Sequence, residues 1–222
     1  MRYLALALFA EGPTDHGFLR RIIYRSVVEI GTRLSQQKLD VGERFVDGNR
    51  WTGADRTKRI EVAFAELVRQ GAVNLLFIHA DGAGDPDLAR ACSIDPAAAV
   101  LTLLNPDGFR SVAVVPVRET EAWALADPDA LMAELGWNGA VTTLVPGLDL
   151  QRPEAILEPK TVLAACLSLA TGRGRRGRRS RSDPIPTGLG DRVALPRLRR
   201  LKAFVTFEAD LENALRSMWG VD

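Results

Sequence analysis

The chain has 222 residues, of which 46% are hydrophobic and 26% charged, and its formal net charge is +1. That length supports one sizeable core, or one core with a small appendage. The composition is that of a soluble globular protein, and no apolar stretch approaches the ~18 residues of a membrane span.

Residues 3–10 form an apolar run that predicts a strand buried on both faces, as in the centre of a parallel sheet. It leads straight into Glu11-Gly12-Pro13-Thr14-Asp15, which is no secretory pattern, so a cytoplasmic location is expected. Asp15 is placed to cap a helix whose apolar positions Phe18, Ile22, Ile23, Val27, Ile30 and Leu34 recur at helical spacing. A short strand is expected over 43–47 and a helix over 55–69, the latter with Ile60, Phe64, Leu67 and Val68 on one face. A second apolar strand, 73–78, ends in His79-Ala80-Asp81-Gly82-Ala83-Gly84-Asp85. Asp95-Pro96 opens a helix to about Leu104. A third strand, 111–117, runs into Arg118-Glu119-Thr120-Glu121-Ala122-Trp123.

Strands alternating with helices argue for parallel βαβ units, hence an α/β fold with a small parallel sheet flanked by helices. Beyond residue 127 the strand signal fades. Helices are expected over 128–135, 160–171, 195–204 and 207–218, so the chain divides into an α/β core, 1–127, and a helical C-terminal extension, 128–222. Within the extension, Arg173, Arg175, Arg176, Arg178, Arg179 and Arg181 form a run without acids; the rest of the chain carries 23 basic against 28 acidic residues. That segment, continuing to Gly190, offers little to bury and reads as a mobile loop. The run suits phosphate contacts with nucleic acid, and equally a solvated loop or an arm that docks on an acidic partner. Cys92 and Cys166 lie too far apart in the chain for a metal-type pair and read as small buried hydrophobes.

Three strand ends therefore carry acids: Glu11, Asp81 with Asp85, and Glu119 with Glu121. Single strand-end acids commonly cap a helix or face water. Three sets converging on one sheet edge would repel one another unless a cation neutralised them, and hard cations such as Mg²⁺ take oxygen ligands. The crevice outside the carboxyl ends of parallel strands is where open α/β sheets bind ligands.

The Glu11-Gly12-Pro13-Thr14-Asp15 element, an Asp-x-Asp-like element after a later strand, and Glu119-Thr120-Glu121-Ala122-Trp123 together resemble the Toprim-like proteins of the domain-of-unknown-function 4276 type. These are related to the nuclease half of the overcoming-lysogenisation-defect proteins. The resemblance covers roughly residues 3–165 and implies a Toprim-like sheet around Mg²⁺ or Mn²⁺, with Glu11 and Asp81 at the metal, Glu121 as a further acid and Asp85 in support. Glu158-Pro159-Lys160 is similar to a late Pro-Lys element of the same family, which implies a catalytic Lys160 stabilising charge on a transferring phosphate. His79 departs from the pattern, since it stands where the first aspartate would be. Three readings follow: His79 is a ligand better suited to Mn²⁺ than to Mg²⁺, or Asp81 and Asp85 carry the metal, or this copy has lost activity.

The implied activity is metal-dependent phosphodiester hydrolysis, by a nuclease subunit of a prokaryotic antiviral or genome-maintenance system. DNA is favoured over RNA, and the resemblance implies an ATPase partner, since relatives of this type often work beside one; the chain itself has no phosphate-binding loop. Topoisomerase chemistry would need a nucleophilic tyrosine, and Tyr3 and Tyr24 fall in the first strand and first helix. A catalytically silent subunit that docks on the ATPase and a small-molecule phosphohydrolase remain as alternatives. Gly172 to Gly177 satisfies a dinucleotide-binding pattern only in letters, because it follows a helical segment rather than a strand. A haloacid-dehalogenase reading fails because its nucleophilic aspartate would have to stand at His79. His16 has no matching nucleophile motif, and Trp123 and Trp137 read as core or interface aromatics.

Overall fold

The computed structural model describes residues 1–10, 13–47, 55–104, 108–145, 149–171 and 185–221. Glu11 and the six arginines of the basic run lie outside the described residues.

Four parallel strands form the sheet: β1 (Arg2–Ala10), β2 (Leu39–Asp47), β3 (Leu75–His79) and β4 (Arg110–Val114), in the order β2-β1-β3-β4. Leu6 pairs with Leu75 across β1 and β3, and His79 with Val114 across β3 and β4. Side chains alternate between two hydrophobic clusters. Leu4, Leu6, Leu8, Phe77, Val112 and Val114 enter one, while Ala7, Phe9, Leu76, Ile78, Ala113 and Val115 enter the other. Burial on both faces explains why these strands read as continuous apolar runs.

The first face is covered by α1 (Pro13–Ser35), α5 (Glu121–Ala124), α6 (Pro128–Leu135), α8 (Pro159–Ala170) and α11 (Lys202–Trp219). The second is covered by α2 (Arg56–Gln70), α3 (Pro86–Ser93) and α4 (Asp95–Leu104). Short helices α7 (Val141–Leu144), α9 (Leu189–Arg192) and α10 (Leu195–Leu198) and a 3-10 turn at Pro153–Ala155 complete the first face. Among the described residues no helix is long and apolar enough to cross a membrane.

The C-terminal helices share the sheet's core. Trp123 is fully buried and meets Phe204 edge-on at 5.2 Å, and Phe207 lies 6.2 Å from Phe77 of β3. Asp127 ties two segments together: its Oδ1 accepts from Ala130 N at 3.2 Å and its Oδ2 from Ala194 N at 3.0 Å.

Several local expectations are corrected. Residues 185–190 are packed rather than mobile: Ile185 and Leu189 are buried, and Arg25 of α1 donates to the carbonyls of Gly190 and Val193. Gly190 presses on α1 so closely that a Cβ would lie 2.8 Å from Phe18 O. Asp15 does not cap α1, which already begins at Pro13, but lies in its first turn. β2 starts at Leu39, four residues early, and α3 falls where a loop was expected. The last helix starts at Lys202, so 195–204 and 207–218 divide differently. Cys166 is buried as expected, its thiol pushed up to about 11 by burial, but Cys92 is exposed.

Candidate active site

β1 and β3 are the two strands whose onward connections leave in opposite directions, so a crevice opens beyond their carboxyl ends. His79 ends β3, and Asp81 follows two residues on. The loop carrying Asp81 is held against the segment after β4 by a run of backbone bonds. Ala80 N donates to Val114 O, Gly82 N to Pro116 O at 3.0 Å and Gly84 N to Val117 O at 2.7 Å. Gly82 is required for this approach, because a Cβ there would lie 2.2 Å from Pro116 O. Asp81 is thereby fixed at the crevice with 39% of its side chain exposed, while its Oδ1 is buried without a hydrogen-bond partner.

β4 leads to Glu119-Thr120-Glu121 at the start of α5. Glu121 is only 3% exposed, and burial pushes its carboxyl up to about 7. Lys160 draws it back toward ionisation with Nζ 3.9 Å from Oε1, whereas the negative charges of Asp15 and Glu119 add to the upward push. Lys160 reaches the site because its own backbone N–H donates to Glu119 Oε2 at 3.1 Å, docking the first turn of α8 beside α5. Asp15 comes from the first turn of α1, whose N-terminus also faces the crevice and favours negative charge.

Two groups that sequence reasoning missed complete the surroundings. Arg56, at the start of α2, donates from Nη2 to His79 O at 2.5 Å and from Nε to Ser93 O at 3.0 Å. Burial and the neighbouring Arg59 lower its guanidinium to about 10, against the opposing pull of Asp81. Thr120 is fully buried with its Oγ1 3.0 Å from His79 Nε2. No pattern marks Arg56 in the sequence; Thr120 was visible only as the middle of Glu-Thr-Glu.

The structure thus brings Glu121 and Lys160 together, and His79 and Asp81. It does not bring in Asp85, whose exposed carboxylate caps α3 by accepting from Leu88 N at 3.0 Å. His79 is fully buried, with Nε2 turned to Thr120. Among the described residues no group of three or more His, Cys, Asp or Glu side chains has the geometry to hold a metal ion. Glu11, which follows β1 directly in the chain, lies outside them. The donors are nevertheless of a kind that suits a hard divalent cation: Asp15 and Glu119 lie near Glu121, Asp81 stands separately beside His79, and burial of Glu121 is only partly offset by Lys160. Comparison with protein-family models, with curated proteins and with solved structures finds no match to this chain.

Proposed function

We propose that this chain is a nuclease subunit that hydrolyses phosphodiesters with Mg²⁺ or Mn²⁺. The observation that carries the reading is the buried Glu121 carboxyl, with Lys160 Nζ 3.9 Å from its Oε1 and the charges of Asp15 and Glu119 beside it, at the carboxyl edge of a parallel sheet that also presents Asp81. A buried acid with one cation, among further acids, is the kind of site that a divalent cation would neutralise.

Asp81 and Glu121 would hold the cation with Glu11, and the cation would supply polarisation of a phosphate and activation of water. Lys160 would bind a non-bridging phosphate oxygen, offering its ammonium to the negative charge that builds during cleavage. Arg56 fixes the end of β3 through His79 O and adds positive potential beside Asp81. The arginines from Arg173 to Arg181 would meet the nucleic-acid backbone, DNA in preference to RNA. The resemblance to Toprim-like proteins supports the placement in an antiviral or genome-maintenance system with an ATPase partner.

Calorimetric titration with Mn²⁺ and Mg²⁺ is the first test, on wild type, Asp81→Asn and Glu121→Gln. Wild type is expected to bind, with affinity at least about tenfold lower in each variant. Lys160→Met should keep metal affinity but slow cleavage of DNA about a hundredfold. A wild type that binds neither cation, with or without DNA, would sink the reading in favour of a catalytically silent subunit.

A further inference from the structure

His79 has a different role from the metal ligand that its place after β3 suggests. We infer that it is a positioning residue, whose Nε2–H holds the buried oxygen of Asp81 and so turns the other oxygen toward the crevice.

The geometry leaves few ways to use this ring. His79 has no exposed surface, and its backbone is pinned on both sides: its carbonyl accepts from Arg56 Nη2, and it lies opposite Val114 in the β3–β4 register. Nε2 is 3.0 Å from Thr120 Oγ1 and 3.5 Å from Asp81 Oδ1. Nδ1 is buried with no hydrogen-bond partner. Thr120 stands at the N-cap position of α5 but makes no side-chain cap bond. A threonine there usually bonds the helix's own N–H groups; here its hydroxyl faces His79 instead.

A ring with one proton has two choices. A proton on Nδ1 would leave an orphaned buried N–H, which is rare in folded proteins, and would aim a lone pair at the Asp81 carboxylate. A proton on Nε2 lies between Thr120 Oγ1 and Asp81 Oδ1 and leaves only an unpaired acceptor. The second arrangement is electrostatically the better one, and the tautomer follows from the network. At 3.5 Å the contact with Asp81 is longer than an ordinary hydrogen bond, so it acts as a charge-to-dipole contact rather than a full bond. Asp81 Oδ1 makes no full hydrogen bond among the described residues, and His79 Nε2 at 3.5 Å is the polar side-chain atom recorded against it. His79 would thus act in the way that outer-shell partners orient metal-binding carboxylates. The contact stands on geometry alone, while its use in catalysis rests on the metal-dependent reading above.

The test is long-range proton–nitrogen correlation on metal-free protein with isotopically labelled histidine, at about pH 8, above the usual histidine range. The chain has two histidines, so a His16→Asn variant assigns the signals. The expected result is a proton on Nε2 of His79, slow to exchange, whose resonance moves in both Asp81→Asn and Thr120→Val. A proton on Nδ1, or an Nε2 signal indifferent to Asp81→Asn, would overturn the inference. Mn²⁺ then gives a second readout. His79→Gln, which keeps a donor near the Nε2 position, should retain Mn²⁺ affinity close to wild type, whereas His79→Leu should lose about 10- to 100-fold. Imidazole-nitrogen coupling in the electron paramagnetic resonance spectrum of bound Mn²⁺ would make His79 a ligand and defeat the positioning role. A wild type that binds no Mn²⁺ defeats the nuclease reading alone, since the metal-free spectrum still decides the orientation.

Discussion

Glu121 concentrates the chemistry of the site in one carboxyl group. Burial raises it from 4.5 to about 7, with Asp15 and Glu119 adding repulsion and Lys160 opposing. An acid whose folded pKa lies above its unfolded one adds stability that is complete below about pH 4.5. That stability drains away as pH rises toward 7. Glu121→Gln should therefore be more stable than wild type above pH 7 in the presence of a chelator, by an amount on the order of 3 kcal/mol. The two proteins should converge near pH 4. Chemical denaturation across that range checks it, and parallel pH profiles would mean that the carboxyl ionises normally. If Glu121 holds a cation as proposed, the same proton links to metal: binding below pH 7 would release it, and affinity should rise with pH.

At the scale of elements, the loop after β3 is what turns a strand end into a site. Its backbone is zipped to the segment after β4, and Gly82 allows the approach because a Cβ would meet Pro116 O at 2.2 Å and Val117 O at 2.6 Å. Gly82→Ala should lower stability and also displace Asp81, reducing Mn²⁺ affinity. Gly136, at φ 62° beyond α6 with nothing within 4 Å of a Cβ, is the control. Gly136→Ala should cost about 1 kcal/mol through backbone strain alone and leave Mn²⁺ affinity unchanged. Equal effects of the two variants on affinity would remove the loop from the account. These elements also mark what was legible in the sequence. β1, β3 and β4 were readable because strands buried on both faces carry apolar runs. α3 was missed because eight residues, none of them fully buried, give too short a pattern to read, and α9 because four residues carry no period. The convergence of Lys160 on Glu121 depends on α8 docking beside α5, a tertiary fact that spacing along the chain cannot express. The partners of His79 were hidden for the same reason.

The whole molecule carries these groups on a shared core, and that sharing has a measurable consequence. Trp123 of α5, Phe204 and Phe207 of α11 and Phe77 of β3 form one aromatic chain, with neighbouring centroids between 5.2 and 6.2 Å apart. The helix that brings Glu121 is thus joined by packing to the strand that brings Asp81, and α8 with Lys160 follows through its bond to Glu119. Phe207 is 1% exposed and touches both sides of this junction. Phe207→Ala should cost about 3–5 kcal/mol, a large part of the 5–15 kcal/mol typical of a folded domain. Because sheet and C-terminal helices bury the same residues, the variant should still unfold in one cooperative transition at a lower midpoint. Circular dichroism and tryptophan fluorescence should report that transition together. With Trp51→Phe, Trp137→Phe and Trp219→Phe leaving Trp123 as the fluorophore, separate transitions, with helical signal lost before the fluorescence changes, would show that residues 128–221 fold apart from the sheet. Coincident curves would mean that any change loosening α11 reaches the acids of the site as well, so under the metal-dependent reading stability and cation affinity should fall together across a series of core variants.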